Sequence, residues 1–187
     1  MAITRIGLNQ SINLASNVTG TLPAANGGSG RTAVTGNILQ VVSGIITYNT
    51  ATTSTNYTDV LSASGTTWET AITLSSSSNK VLILPNLMVY TLSDGAAEGR
   101  YSITMNGKIG SGSYAQIGDS GTAVRFSHYD YGASGAAHGQ THSPSFLWSP
   151  NSTDELKIKF QIKGNGSEVE VSRSNYRSVI NLLEVSA

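Results

Sequence analysis

The sequence predicts an all-β protein: an N-terminal extended arm followed by an antiparallel β-sandwich of jelly-roll type. Three observations lead there. Past residue 37, apolar residues recur with a period of two in most segments, the spacing that sets them on one face of a strand. Clusters of Gly, Asn, Asp, Ser and Pro interrupt those segments every ten to twenty residues, which suits seven to nine short strands. No segment sustains a helical period between a start signal and a stop signal.

Three zones follow one another: an arm at 1–18, a Gly-rich joint at 19–37 and a sandwich at 38–187. In the arm Ile3, Ile6, Leu8, Ile12 and Leu14 are spaced mostly by two or three, which commits to neither strand nor helix. A segment that short cannot bury them against itself, so they are expected to dock on something else. In the sandwich, "ILQVVSGIITY" (38–48) is β-branched, with Ser43-Gly44 reading as a turn or bulge. "WETAITL" sets Trp68, Thr70, Ile72 and Leu74 on one face. "KVLILPNLMVYTL" is a near-continuous apolar run interrupted by Pro85-Asn86, read as two strands or one bent strand. "RYSITMNG" alternates Tyr101, Ile103 and Met105 and ends in Asn106-Gly107, a hairpin-turn pair. In "ELKIKFQIKGNGSEVEVSR", Leu156, Ile158, Phe160 and Ile162 face one way and Lys157, Lys159, Gln161 and Lys163 the other. The "GNG" that follows is expected to reverse the chain, with Val169 and Val171 on the return strand. "SVINLLEV" is apolar enough to be covered on both faces. The strand order stays open.

Composition narrows the chemistry. The chain has 187 residues, 39% of them hydrophobic, enough for one main core. Only 12% are charged and the formal net charge is zero, a balance that favours association. Ser and Thr make up about a quarter of the chain. Without a basic stripe to displace counterions, nucleic-acid binding is not expected. There is no cysteine, which removes disulfides, thiolate metal sites and thiol nucleophiles. "MAITRIGLNQ" lacks the apolar run of a signal peptide. No stretch approaches the roughly 18 apolar residues of a membrane helix, so membrane insertion is not expected.

Catalytic signatures are not found. His128, Asp130, His138 and His142 fall in "RFSHYDYGASGAAHGQTHSPSF", which reads as a Gly- and Ser-rich loop between two strands. His138 and His142 have the spacing of a zinc-protease pair, but Gly139 stands where the catalytic Glu belongs. Carboxylates number only 11, and the candidates Asp94, Glu98, Asp119, Asp130, Asp154 and Glu155 sit mostly in turn-like segments; no strained G-x-S-x-G elbow occurs. No cofactor, no metal and no enzymatic activity is expected. Aromatic residues in loops (Tyr114, Tyr129, Tyr131, Phe146 and Trp148) serve either packing or recognition. Tyr114, His128, Tyr129, Tyr131, His138 and His142 form the candidate receptor-contact loop.

Residues 19–30 read "TGTLPAANGGSG". As a phosphate loop the stretch fails. A P-loop continues from its last Gly into Lys and then Ser or Thr, whereas Arg31 follows here, and a dinucleotide loop needs a strand before it and a helix after it. The stretch resembles instead a motif of bacteriophage tail-fibre and related virion appendage proteins, "TGTLPVANGGTG", with Ala24 for Val and Ser29 for Thr. In such proteins the motif joins an N-terminal attachment part to a trimeric shaft or head. The resemblance covers about a dozen residues and marks a kind of protein rather than a receptor. It implies a joint made by Leu22, Pro23, Asn26, Gly27, Gly28 and Gly30. Pro23 holds the chain extended, the glycines let three backbones approach an axis, and Leu22 can plug it.

The resemblance implies a virion-located homotrimer. Its arm would anchor to another virion protein, a tail adaptor, nozzle or capsid, through residues 1–18. Its sandwich would meet a host cell-surface glycan or protein. Residues 1–14 span at most about 50 Å, at roughly 3.5 Å per residue, which suits insertion into a groove or strand addition to a neighbour. Two other readings stay open: a capsid head fibre or decoration protein, and a small β-fold polysaccharide depolymerase.

Overall fold

The computed structural model describes residues 36–92, 99–119, 122–123, 125–130, 137–164, 166–173 and 176–187; of these, 99, 118–119, 122–123, 125–130 and 137–138 are described by their backbone alone. The unit Gly36–Ala187 is described by itself. The arm residues Ile3, Ile6, Leu8, Ile12 and Leu14 lie outside the described residues, as do the joint residues Leu22, Pro23, Asn26, Gly27, Gly28 and Gly30, and Tyr131.

The described residues form strands and no helix. The first five strands are β1 (Ile38–Ile46), β2 (Thr50–Thr52), β3 (Thr58–Asp59), β4 (Thr70–Thr73) and β5 (Lys80–Leu92). The next five are β6 (Gly99–Ile109), β7 (Ala115–Gln116), β8 (Gly118–Asp119), β9 (Thr122–Ala123) and β10 (Arg125–Asp130). The last five are β11 (Ala137–His142), β12 (Phe146–Trp148), β13 (Glu155–Gly164), β14 (Glu168–Val171) and β15 (Ser178–Val185).

The pairing is nested and antiparallel throughout. β1 pairs with β15, β4 with β13, β5 with β11 and β12, and β6 with β10. The first strand thus meets the last, β2 meets the second-to-last, β14, and so inward, as in one long hairpin. Two further pairings, β15 with β5 and β13 with β6, roll that hairpin into two sheets. One holds β1, β15, β5, β14 and β2 with β11 and β12; the other holds β10, β6, β13, β3, β4 and β7. Strands nested this way and divided between two sheets make an antiparallel jelly-roll sandwich.

The core lies between the sheets and follows from alternation. On β13 Leu156, Ile158, Phe160 and Ile162 are fully buried, and the three lysines and Gln161 between them lie on the outer face. Tyr101, Ile103 and Met105 of β6 point inward, as do Val81, Ile83, Leu87 and Val89 of β5. The expected face of Trp68, Thr70, Ile72 and Leu74 is also buried. Trp68 stacks at 6.3 Å on Phe160, and its ring N–H donates to the Ile45 carbonyl at 3.1 Å.

Three local expectations are corrected. Ser43-Gly44 is no turn: β1 runs straight through it, and the irregularity falls at Ile38–Gln40 instead. Gly44 is needed because a Cβ there would stand 2.7 Å from the Trp68 ring. Asn106-Gly107 is no hairpin turn either; β6 continues to Ile109 and the chain turns at Gly110. The "GNG" segment leads to no hairpin, because β14 leaves β13 for the other sheet and pairs with β5 and β2. Val169 and Val171 are buried there. Pro85 does not divide its run. It lies in a continuous β5, in the gap between the stretch paired to β12 and the stretch paired to β11, where a missing N–H costs a central strand least.

Polar groups in the interior are held by several partners at once. Glu184 of β15 is buried at one end of the sandwich. Its carboxylate accepts from the Ser75 amide and hydroxyl (both 2.7 Å), the Asn79 side chain (2.6 Å) and the Gln40 side chain (2.9 Å). This one side chain ties β1, the β4–β5 turn and β15 together. Burial pushes its pKa up, but the bonds from Asn79, Ser75 and Gln40 together outweigh that and hold it below the ordinary carboxylate value.

Candidate functional site

The segment 110–117 builds the most distinctive surface among the described residues. Gly110, at φ +53, turns the chain after β6, and its amide bonds the Glu155 carbonyl at 2.8 Å. The chain then returns along β6 as β7, with Ala115 opposite Gly107 and Gln116 opposite Asn106. This tight return carries Tyr114 over the outer face of the second sheet. Lys108 and Lys159 stand 5.0 and 4.6 Å from its ring centre, and its hydroxyl donates to Glu69 at 2.5 Å. Burial, then the Glu69 hydrogen bond and charge, raise the phenol well above its usual pKa, so Tyr114 stays a neutral donor.

The same face is laced with charge. Asp59 accepts from Lys159 (2.8 and 2.9 Å), Gln161 (2.8 Å) and Thr67 (2.8 Å). Burial raises the Asp59 pKa, and its partners, Lys159 first, more than reverse that. Lys157 reaches both Glu69 and Glu155 at about 3.5 Å. Three of the carboxylates on this face are therefore committed to lysines. No group of three His, Cys, Asp or Glu able to hold a metal occurs among the described residues.

Beside Tyr114 the return borders an open pocket of about 260 Å³. Its apolar wall is Trp148, Ile109 and Ile117, and Lys108, Ser113 and Gln116 also line it. Gly107 shapes it, for a Cβ there would lie 2.8 Å from Ile117 and 2.9 Å from the Trp148 ring. An aromatic wall with a few polar groups fits a small ligand that has one apolar face and hydrogen-bonding edges, as a sugar ring does.

The expected contact residues are not gathered in one loop. The segment read as a loop around the histidines is two edge strands, β10 and β11, in different sheets. Tyr114 lies over the second sheet. His128 and Tyr129 belong to β10, opposite Tyr101 and Arg100. His138 belongs to β11, opposite Thr91. His142 ends that strand, half-buried, with its ring edge-on to Tyr101 at 5.5 Å and Nε2 hydrogen-bonded to the Tyr101 hydroxyl. The pocket residues Lys108, Ser113 and Gln116 carried no signal, because three chain segments meet there. Trp148, weighed between packing and contact, packs against the core and also walls the pocket.

No family model matches the chain. No curated protein matches it either. Three solved structures resemble it in strand arrangement. Eiger TNF from S. frugiperda is 10% identical at a TM-score of 0.43, over 81% of this chain and 96% of that one. A structure of infectious bursal disease virus, Gt strain, is 10% identical at a TM-score of 0.38, over 99% of this chain and 43% of that one. The T13 viral particle of the same virus gives 9% identity and a TM-score of 0.39, over 99% of this chain and 40% of that one. At such identities and scores these likenesses carry no argument about partner or activity; the fold rests on the strand pairing itself.

Proposed function

We propose that the chain is a structural subunit of a bacteriophage virion, a short trimeric tail fibre. Its arm at residues 1–18 holds it to another virion protein, and its jelly-roll sandwich is displayed for adhesion to the host surface. The observation that carries this reading is the order of parts. The appendage-like "TGTLPAANGGSG" stands directly ahead of a charge-poor, all-β sandwich. The pocket beside Tyr114 supports adhesion. Its Trp148 wall, with the polar residues Gln116 and Ser113 beside it, suits non-covalent recognition of a surface saccharide.

Gold-labelled antibody against the sandwich, applied to intact particles, should decorate the tail. Label confined to the capsid would replace this reading with that of a capsid fibre or decoration protein. Adhesion is checked separately: purified protein should compete with particles for host cells, and Trp148→Ala should weaken that competition. Release of reducing sugar from host polysaccharide by the purified protein would favour a depolymerase instead.

A further inference from the structure

The two outer faces of the sandwich differ in kind. On the second sheet, Lys108, Lys157, Lys159 and Lys163 face outward with their acidic and tyrosine partners. On the first sheet, the outward residues of β1, β15, β5 and β12 are mainly aliphatic; the polar ones are Ser43, Asn181, Lys80, Tyr90 and the exposed Asn86 opposite Val179. One row, Val41, Leu183, Leu82 and Leu147, crosses four strands in register without a polar member. Ile45 and Val179 form a flanking pair, and Ser43 and Asn181, bonded to each other at 2.5 Å, stand between the two rows. Val41 is 58% exposed, Ile45 50% and Leu147 48%. Lys80, opposite Val185 at the rim, is the one charged residue facing outward among the described parts of these strands.

A sheet bathed by water on one face alternates apolar and polar residues, and this sheet does so on neither side of β15. Apolar side chains exposed side by side across four strands, rather than scattered singly, mark a surface that meets a partner. The patch also includes β1, which pairs only with β15 among the described residues. A long apolar edge strand left bare invites unwanted pairing. Whatever covers this face must itself be apolar and uncharged.

We propose that the outer face of β1, β15, β5 and β12 packs on other copies of this chain and forms the axial interface of the trimer. This rests on the threefold reading given under Proposed function, and it adds which surface makes the contact. Two features select a second copy as the occupant. The face carries almost no charge, and the whole chain is formally neutral, so like faces meet without repulsion. β1, the first strand after the joint in sequence, forms one edge of this face. Ile38, the first residue of β1, is eight residues past Gly30, so chains converging at the joint hold their β1 strands within roughly 28 Å of the axis. The charged sheet, with Tyr114 and its pocket, then faces away from the axis.

The test is the molar mass in solution of the full chain and its Val41→Lys, Leu147→Lys and Lys163→Glu variants, by sedimentation or light scattering. Both lysine substitutions fall on side chains about half exposed in a single copy, so far-ultraviolet circular dichroism should be unchanged. The wild type and Lys163→Glu should be trimers, while Val41→Lys and Leu147→Lys should lose the trimer and run as folded monomers. A trimer that survives both lysine variants overturns this interface and leaves the threefold reading standing. A wild-type monomer at tens of micromolar overturns both. A second readout does not depend on dissociation. The chain has no cysteine, so Leu147→Cys and Lys163→Cys each introduce a single thiol. In the wild-type background the first should be protected from maleimide and the second should react freely; equal reactivity overturns the interface.

Discussion

Glu184 accepts four hydrogen bonds from three residues, and it carries a pH signature. Its folded pKa is held below the unfolded value. Its stabilisation is therefore fully present above the ordinary carboxylate pKa and is lost as pH falls through the lowered value. Urea titrations at descending pH should show that loss in the wild type and a flatter profile in Glu184→Gln. Glu184→Ala leaves four donors without their carboxylate and should cost about 2–4 kcal/mol at neutral pH. Gly107 makes a different residue-scale case. Gly107→Ala drives a methyl into Trp148 and Ile117 and should cost about 1–3 kcal/mol, with altered near-ultraviolet circular dichroism from the tryptophan. Asn-Gly reads in sequence as a turn because turns are where glycine is most often required. The tryptophan that makes it necessary lies 41 positions away along the chain, so the close approach could not be read locally.

At the scale of the element, β13 shows how much a strand's own sequence specifies. Its period of two is unbroken, and every inward position it predicts is buried. Phe160→Ala, which removes a fully buried ring beside Trp68, should cost about 3–5 kcal/mol by denaturant unfolding. Lys163→Ala, on the outer face and 4.9 Å from the Tyr57 ring, should stay within about 1 kcal/mol. Equal costs at the two positions would contradict the facing of the strand. β10 and β11 mark the opposite limit. The Gly, Ser and Ala residues that join them in sequence make the whole segment read as a loop, and the pairing to β6 and β5 is what identifies them as strands. The candidate site suffers from the same limit. Tyr114 was visible as an aromatic residue among glycines and serines, but its lysine partners come from two strands of one sheet, and the pocket beside it from β6, β7 and β12.

For the whole molecule, nested pairing sets the folding problem. β1 cannot complete its ladder until β15, the last strand, arrives, and most tertiary contacts join residues distant in sequence. Chains of this kind fold in milliseconds to seconds or slower. Stopped-flow refolding followed by tryptophan fluorescence should show no sub-millisecond phase carrying the full amplitude. Appearance of such a phase would mean that native-like packing forms before the outer strands pair.

The sequence by itself determined the strand class of the molecule and the inward residues of its clear strands. Each is encoded within about a dozen neighbouring residues, by alternation or by turn chemistry. Only the tertiary structure decided which strand lies beside which, why Gly44 and Gly107 are glycines, and that β14 belongs to the other sheet. It also revealed that one outer face is aliphatic and the other charged. Those properties arise where distant segments meet, and a chain's local period fixes the direction of a side chain without naming its neighbour.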